Sequence, residues 1–228
     1  MLFFTDPPGD DHGLAYQYPM AALFQEAGRG YADLLGFGAE ASSGELVLKV
    51  RLARYPNPLG APLGFSLATV AVYLDTASGG EEDLPGAGFK TPAGEGWEVA
   101  FLLTGFGAEK RTPRGESTPV KAEKVGEELL LHTGLAPGAY GFYVAVGLYD
   151  PFAPWFFRPT ALEPGPWTLA APPGMPNAVD VLAQNQAEAY RTRVLPPARQ
   201  TPPPYPSLLA FGLGLVSFLL AFLLRKSP

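Results

Sequence analysis

The stretch ELVLKVRLAR, residues 45–54, sets Leu46, Leu48, Val50 and Leu52 in alternation with Val47, Lys49 and Arg51. Successive side chains of an extended chain point to opposite faces, so this spacing predicts a strand with one face turned to a core. The same period of two recurs in Val70, Val72 and Leu74, in Val99, Phe101 and Leu103, in Leu129 and Leu131, and in Phe142, Val144, Val146 and Leu148. Between these runs lie the turn-forming clusters YPNPLGAP (55–62), SGGEED (78–83), TPAGEG (91–96) and GLAPG (134–138). The pattern predicts strands at about Leu2–Thr5, Ala32–Glu40, Glu45–Arg54, Leu67–Asp75, Trp97–Leu103, Pro119–Lys124, Glu127–Thr133, Tyr140–Asp150 and Pro166–Ala170. No interior stretch carries a 3.6-residue period, and residues 177–193 fit either a short helix capped by Asn177 or an extended arm. The expected fold class is all-β, an antiparallel two-sheet sandwich.

Composition narrows the chemistry. The 228 residues include 27 glycines and 26 prolines, close to the range where low-complexity disorder is expected, but 47% hydrophobic and 12% aromatic content is enough to build a core. There is no cysteine, which excludes a disulfide scaffold, a thiolate metal site and a cysteine nucleophile. The two histidines, His12 and His132, form no metalloprotease motif. A net charge of −6 with no basic run argues against nucleic acid as a partner. Only three asparagines (Asn57, Asn177 and Asn185) among proline-rich loops give a weak compositional sign of a thermophile.

The C-terminal end differs from the rest. Leu208–Leu224 is free of charge and proline and is followed by Arg225 and Lys226. It sits at the short end of the roughly 17–25 residues that cross a bilayer as a helix, and its all-round apolarity predicts a single transmembrane helix in contact with the lipid bilayer. The expected organisation is a β-sandwich over residues 1–195, a proline-rich stalk at 196–206, a membrane helix at 207–224 and a short basic tail at 225–228. The basic pair beside the helix favours a cytoplasmic tail and an extracytoplasmic domain. Polyproline II geometry, at about 3.1 Å per residue, would let the stalk hold the domain up to about 34 Å from the bilayer. MLFFTDP, at the start, has neither a basic n-region nor a long apolar stretch. A signal lying upstream, a signal already removed and a tail-anchored cytosolic protein all stay open.

The densest polar motif is Asp6-Pro7-Pro8-Gly9-Asp10-Asp11-His12-Gly13. Three carboxylates within six residues repel one another unless a cation or backbone donors compensate. Calcium suits such a loop because it accepts six to eight oxygen ligands in flexible geometry. An Asx-turn loop that spends its aspartates on backbone NH groups is the competing reading, and both stay open. His12 is a poor ligand for a hard cation and is expected to be exposed.

Five runs, in this order, resemble one family: DPPGDDHGLAYQYP (6–19), YADLLGF (31–37), NPLGAPLGFSLATVAVYLDT (57–76), YVAVGLYDPF (143–152) with Arg158 and Trp167 downstream, and PNAVDVLAQNQ (176–186). The family is the C-terminal module of glucodextranase, a DOMON-like β-sandwich appended to amylases and pullulanases. The resemblance spans about Phe3 to Gln186 and departs from the pattern at Met20 and Leu59. It implies a non-catalytic binding module for carbohydrate, a cell-envelope polymer or an envelope protein, and it adds Asp33 to Asp6, Asp10 and Asp11 as candidate metal ligands. The DOMON-like group binds sugars or haem, so the fold alone does not choose between them. Sugar recognition needs exposed rings, and Tyr16, Tyr18, Trp155, Phe156 and Arg158 are the candidates. Trp97 and Trp167 are expected in the core. Haem is disfavoured, since His132 on a strand and Met20 and Met175 in loops make a poor axial set. An accessory subunit of a membrane complex is the alternative within binding. A glycoside-processing enzyme, needing paired carboxylates from among Asp10, Asp11, Glu98 and Asp150, is the alternative outside it.

Overall fold

A computed structural model describes residues 2–199. The strands are β1 (Leu2–Thr5), β2 (Leu34–Ser42), β3 (Glu45–Leu52), β4 (Ala68–Asp75), β5 (Asp83–Leu84), β6 (Phe89–Lys90), β7 (Val99–Thr104) and β8 (Gly107–Arg111). They continue with β9 (Ser117–Val120), β10 (Ala122–Val125), β11 (Glu128–His132), β12 (Gly141–Leu148), β13 (Thr160–Ala161), β14 (Leu169–Ala170) and β15 (Ala178–Val181). Two short helices, α1 (Ala22–Ala27) and α2 (Gln186–Thr192), complete the set. One sheet has the order β1-β2-β3-β11-β10 and the other β15-β12-β4-β7-β8-β9, and every pairing within these two sheets is antiparallel. The two-sheet reading of the sequence therefore holds for the described residues.

The sheets meet through the predicted apolar faces. Phe37 of β2 packs on Phe142 of β12 with ring centroids 5.2 Å apart. Leu48, Val70, Val72, Val144 and Val146 are buried in the same interior. The six-stranded sheet departs from simple alternation, because β4, β7 and β12 are buried along nearly their whole length. Its outer face is roofed by the loops around residues 85–97 and 154–157. The Tyr73 and Tyr143 hydroxyls donate to the carbonyls of Pro85 and Glu95, and Trp97 packs edge-on against Tyr73. These connections explain why strand runs such as ATVAVYL carry no polar face.

Strand register fixes two poles. Ala68 pairs with Leu148 and Thr69 with Thr104, so loop 53–67, the Gly105–Phe106 turn and loop 149–158 leave the six-stranded sheet at one end. At the other end Asp75 pairs with Gly141, and Arg199 forms ion pairs with Asp75 and Glu95. A surface pocket lined by Leu2, Glu40, Asp75, Tyr140 and Arg199 shows that the Leu2–Glu40 end of the five-stranded sheet shares this second pole. Thr5, Leu34 and Leu52 therefore lie at the first pole, where the aromatic loops emerge.

Several expectations are corrected. Pro119–Lys124 is not one strand: β9 belongs to the six-stranded sheet and β10 to the five-stranded one, and the chain changes sheets at Lys121. The alternating residues of both pieces hide such a switch, because each piece alone satisfies the period. Asn177 caps no helix. Its side chain accepts from Thr160 N and donates to Gly86 O, β15 follows it, and Asn185 caps α2 by accepting from Glu188 N at 3.0 Å. β8, β13, β15 and the short hairpin β5–β6 were not foreseen, nor was α1, whose six residues are too few to establish a helical period. Pro196–Arg199, read as the start of a stalk, runs along β12 with Ala198 and Phe142 exchanging backbone hydrogen bonds. The stalk from residue 200, the membrane helix at 207–224 and the tail at 225–228 lie outside the described residues. Among the described residues no helix is long and apolar enough to cross a membrane.

The turn that joins β7 to β8 tests how tightly the first pole is packed. A Cβ on Gly105 would lie 1.6 Å from the carbonyl oxygen of Phe65, so loop 53–67 can close over the turn only because residue 105 lacks a side chain. Gly105→Ala is expected to cost about 3 kcal/mol in urea unfolding, with an unchanged m-value.

Candidate functional site

Two features occupy the first pole: a knot of carboxylates inside the seam between the sheets and a run of aromatic side chains on its surface. Asp6 directly follows β1, Asp33 directly precedes β2, and Asp180 sits in β15 opposite Val146, whose side chain is in the core. Gly9 has φ +85°, a left-handed conformation suited to glycine in the loop that carries Asp10 back towards the seam. The result is that one carboxylate oxygen each from Asp6, Asp10 and Asp180 lie within 4.8 Å of one another. Asp6, Asp33 and Asp180 are 7%, 4% and 0% exposed, and Asp10 is half-buried.

The backbone satisfies only part of this knot. Asp33 Oδ2 accepts from Gly9 N at 2.8 Å, and Asp180 Oδ2 accepts from Leu34 N at 2.7 Å. Asp6 Oδ2, Asp10 Oδ1, Asp33 Oδ1 and Asp180 Oδ1 are buried without a hydrogen-bond donor among the described residues. Burial disfavours the charged carboxylate, and the neighbouring acids add to that effect. Burial first, then Asp10 and Asp33, push Asp6 up to about 8, and burial chiefly lifts Asp33 to about 6. Burial also raises Asp10, and burial with Asp6 beside it lifts Asp180 well above the carboxylate range.

Hydrogen bonds from distant parts of the chain hold the knot in place. Gly13 N donates to Val179 O at 2.9 Å, Gln186 Nε2 to Asp10 O at 2.8 Å, and Tyr16 Oη to Pro176 O at 2.6 Å. The N-terminal loop is thus zipped onto β15 and α2. Asp11, expected beside the other acids, is committed elsewhere: its Oδ2 accepts from Tyr18 Oη at 2.9 Å and Gly30 N at 3.2 Å. Asp180 was missed in the sequence, although a lone acid inside the apolar run AVDVL was a readable signal. His12 is exposed, as expected.

The raised carboxylates set the sign of the pH dependence. A folded-state value above the unfolded one means that the folded state binds protons more tightly, so stability is present at low pH and is lost as pH rises through the folded value. In chelator-treated protein the window is the interval from the ordinary carboxylate value of 3.8 up to about 6 for Asp33 and about 8 for Asp6. Thermal scans in EDTA are expected to give a Tm that falls steadily between pH 5 and pH 8.

The aromatic surface is built by the loops at the same pole. Phe106 stacks on Tyr149 at 5.3 Å, and Tyr149 lies 6.2 Å from Phe156. Arg158 ties this group to the next: its guanidinium donates to Tyr149 O at 3.0 Å and to Trp167 O at 2.8 Å, and pairs with Asp150 at 3.4 Å. The same guanidinium lies over the Phe24 ring of α1, which meets Trp167 edge-on at 5.7 Å. Phe106, Trp167 and Phe152 are 47%, 59% and 95% exposed.

The residues singled out for ring stacking divide differently from expectation. Tyr16 and Tyr18 are buried, Tyr16 against Tyr190 and Tyr18 against Tyr31 with Arg29 over its ring, so neither presents a free face. Trp155 is half-buried: it stacks on Tyr73, meets Trp97 edge-on and carries the Arg111 guanidinium over its ring at 4.7 Å. Phe156 adopts φ +58°, a conformation uncommon outside glycine, in the turn that inserts Trp155. Trp97 is in the core as expected, but Trp167 is not. It sits just before β14 in a loop with two prolines, and β14, which pairs with β13 outside the two main sheets, leaves it 59% exposed. His132 is half-buried on β11 with its ring nitrogens 3.1 Å from Glu123 and 3.7 Å from Glu45. Glu98 and Asp150 stand at opposite poles of the six-stranded sheet, and Asp10 and Asp11 at the seam.

The model of one protein family, described as the C-terminal binding module, SLH-like, of glucodextranase, matches residues 1–195. No curated protein matches the chain. The matched span includes the whole carboxylate knot, from Asp6 to Asp180, and every loop of the aromatic pole. This chain therefore belongs to the family of glucodextranase C-terminal binding modules.

Proposed function

We propose that the protein is a non-catalytic, membrane-anchored binding module that holds carbohydrate or a cell-envelope polymer on the aromatic pole of a DOMON-like sandwich. The observation that carries this reading is the placement of exposed rings. Phe106, Phe152 and Trp167 stand at one pole, linked through Tyr149, Arg158 and Phe24, while the described chain runs out at Arg199 at the other. Apolar Leu208–Leu224 follows Arg199 in sequence, so a bilayer anchor there would turn the rings away from the membrane. Large exposed aromatic faces offer the apolar surface on which sugar rings stack. Trp167 is the principal platform, Phe152 and Phe106 extend it, and Arg158 holds the loops at a fixed spacing. Trp155 and Phe156 shape the loop from beneath.

Binding and folding roles separate by mutation. Full-length protein in detergent is tested for retention on insoluble α-glucans and on isolated cell-wall polysaccharide. Trp167→Ala is expected to weaken retention roughly 10- to 30-fold with an unchanged Tm, the cost of losing one aromatic anchor. Trp155→Ala is expected to lower the Tm first, because its ring packs on Tyr73 and Trp97. Retention on no polysaccharide, together with a Soret band in the purified protein, would favour the haem reading instead.

The membrane orientation has its own measurement. Protease added to intact cells or spheroplasts is expected to degrade residues 1–195 and spare a tag placed after Pro228. Protection of the sandwich with exposure of the tag would reverse the orientation.

A further inference from the structure

We propose that Asp6, Asp10 and Asp180, with Asp33 beside them, bind one hard divalent cation of calcium size that bolts the N-terminal loop to β15. Acidic residues often cluster without binding anything, so the case rests on what surrounds these. Asp180 is fully buried, one of its carboxylate oxygens takes part in the cluster, and its Oδ1 has no donor among the described residues. Asp6 Oδ2, Asp10 Oδ1 and Asp33 Oδ1 are likewise buried without a donor. Among the described residues no Lys, Arg or His side chain forms an ion pair with any of the four. Burying an unpaired carboxylate is costly, and burying several against one another multiplies the repulsion. A cation removes both costs at once.

Burial and donor type indicate which cation. The oxygens of Asp6, Asp10 and Asp180 fall within 4.8 Å of one another, close enough for one calcium ion at about 2.3–2.6 Å from each to bridge them. Magnesium holds its ligands closer and keeps several waters, which a site this buried does not favour. All proposed donors are carboxylate oxygens, unsuited to softer metals. The ligand set differs from the one legible in the sequence. Asp11 drops out because Tyr18 Oη and Gly30 N already occupy its Oδ2, and Asp180 enters from the far end of the chain.

The test uses the full-length chain, stripped with a chelator and titrated at neutral pH with CaCl2 and, separately, MgCl2, by calorimetry. One calcium site is expected, with magnesium at least tenfold weaker. At a free calcium concentration of about 100 times Kd the Tm is expected to rise by about 5–10 °C. Asp180→Asn keeps the shape of the side chain and is expected to weaken calcium binding at least tenfold and to abolish the Tm rise. Should that variant fail to fold, Asp10→Asn, at a half-buried position, is expected to give the same loss. Asp11→Asn is expected to leave calcium binding intact. The proposal fails if calcium produces neither heat nor a Tm change and elemental analysis finds no metal. It fails equally if Asp180→Asn and Asp10→Asn bind calcium like the parent, or if magnesium binds as tightly as calcium.

Discussion

The seam between the two sheets at the aromatic pole is closed by residues 6–33, a segment that brings Asp6, Asp10, Asp11 and Asp33 into or beside the interior. Those carboxylates must be neutralised, hydrogen-bonded or compensated if the seam is to stay shut. The Tyr18 hydroxyl and Gly30 N manage this for Asp11 Oδ2, and backbone NH groups do so for one oxygen each of Asp33 and Asp180. Among the described residues no donor does so for Asp6 Oδ2, Asp10 Oδ1, Asp33 Oδ1 or Asp180 Oδ1. The rest of the pole is built on this closure: Gly13 and Tyr16 join β15 and the residues before it, Tyr18 and Tyr31 pack together, and α1 comes to lie beneath Trp167.

The sandwich was readable in the sequence because β3, β4, β7, β11 and β12 are long enough to show a period of two and are separated by glycine- and proline-rich turns. Their register was not readable, and neither was the switch at Lys121, since both depend on which sheet a strand joins and not on which residues it contains. The short elements escaped for another reason. A two-residue strand such as β5 or β13 is created by its partner, and α1 is held by packing and not by helical propensity.

For the site, the aspartate loop announced itself by density. Asp180 did not, because the sequence places it some 170 residues downstream in a run that otherwise reads as apolar core. Only the pairing of β15 with β12 and the donation from Leu34 N bring it back to Asp6. The tryptophans misled in a similar way. Local pattern assigned Trp155 to the surface and Trp167 to a strand, yet the roof over the six-stranded sheet recruits Trp155, and the Leu169–Ala170 strand begins too late to bury Trp167. Exposure of an aromatic side chain is decided by which loops cross above it, and a single sequence does not encode that locally.

The seam and the aromatic surface are mechanically one unit. From Asp11 the chain of contacts runs through the Tyr18 hydroxyl to the Tyr18–Tyr31 pair, while the same backbone continues through Met20 N and Ala21 N to the carbonyls of Gly165 and Pro166. Those two carbonyls belong to the residues immediately before Trp167, and Phe24 and Arg158 complete its support. Trp167 thus stands on a segment whose other end adjoins the carboxylate knot. Any ligand that stacks on Trp167 meets a platform whose position was fixed before binding, which lowers the ordering cost of recognition. Loosening the seam would return that cost, since residues 19–27 have only α1, of six residues, as regular structure to hold them without it.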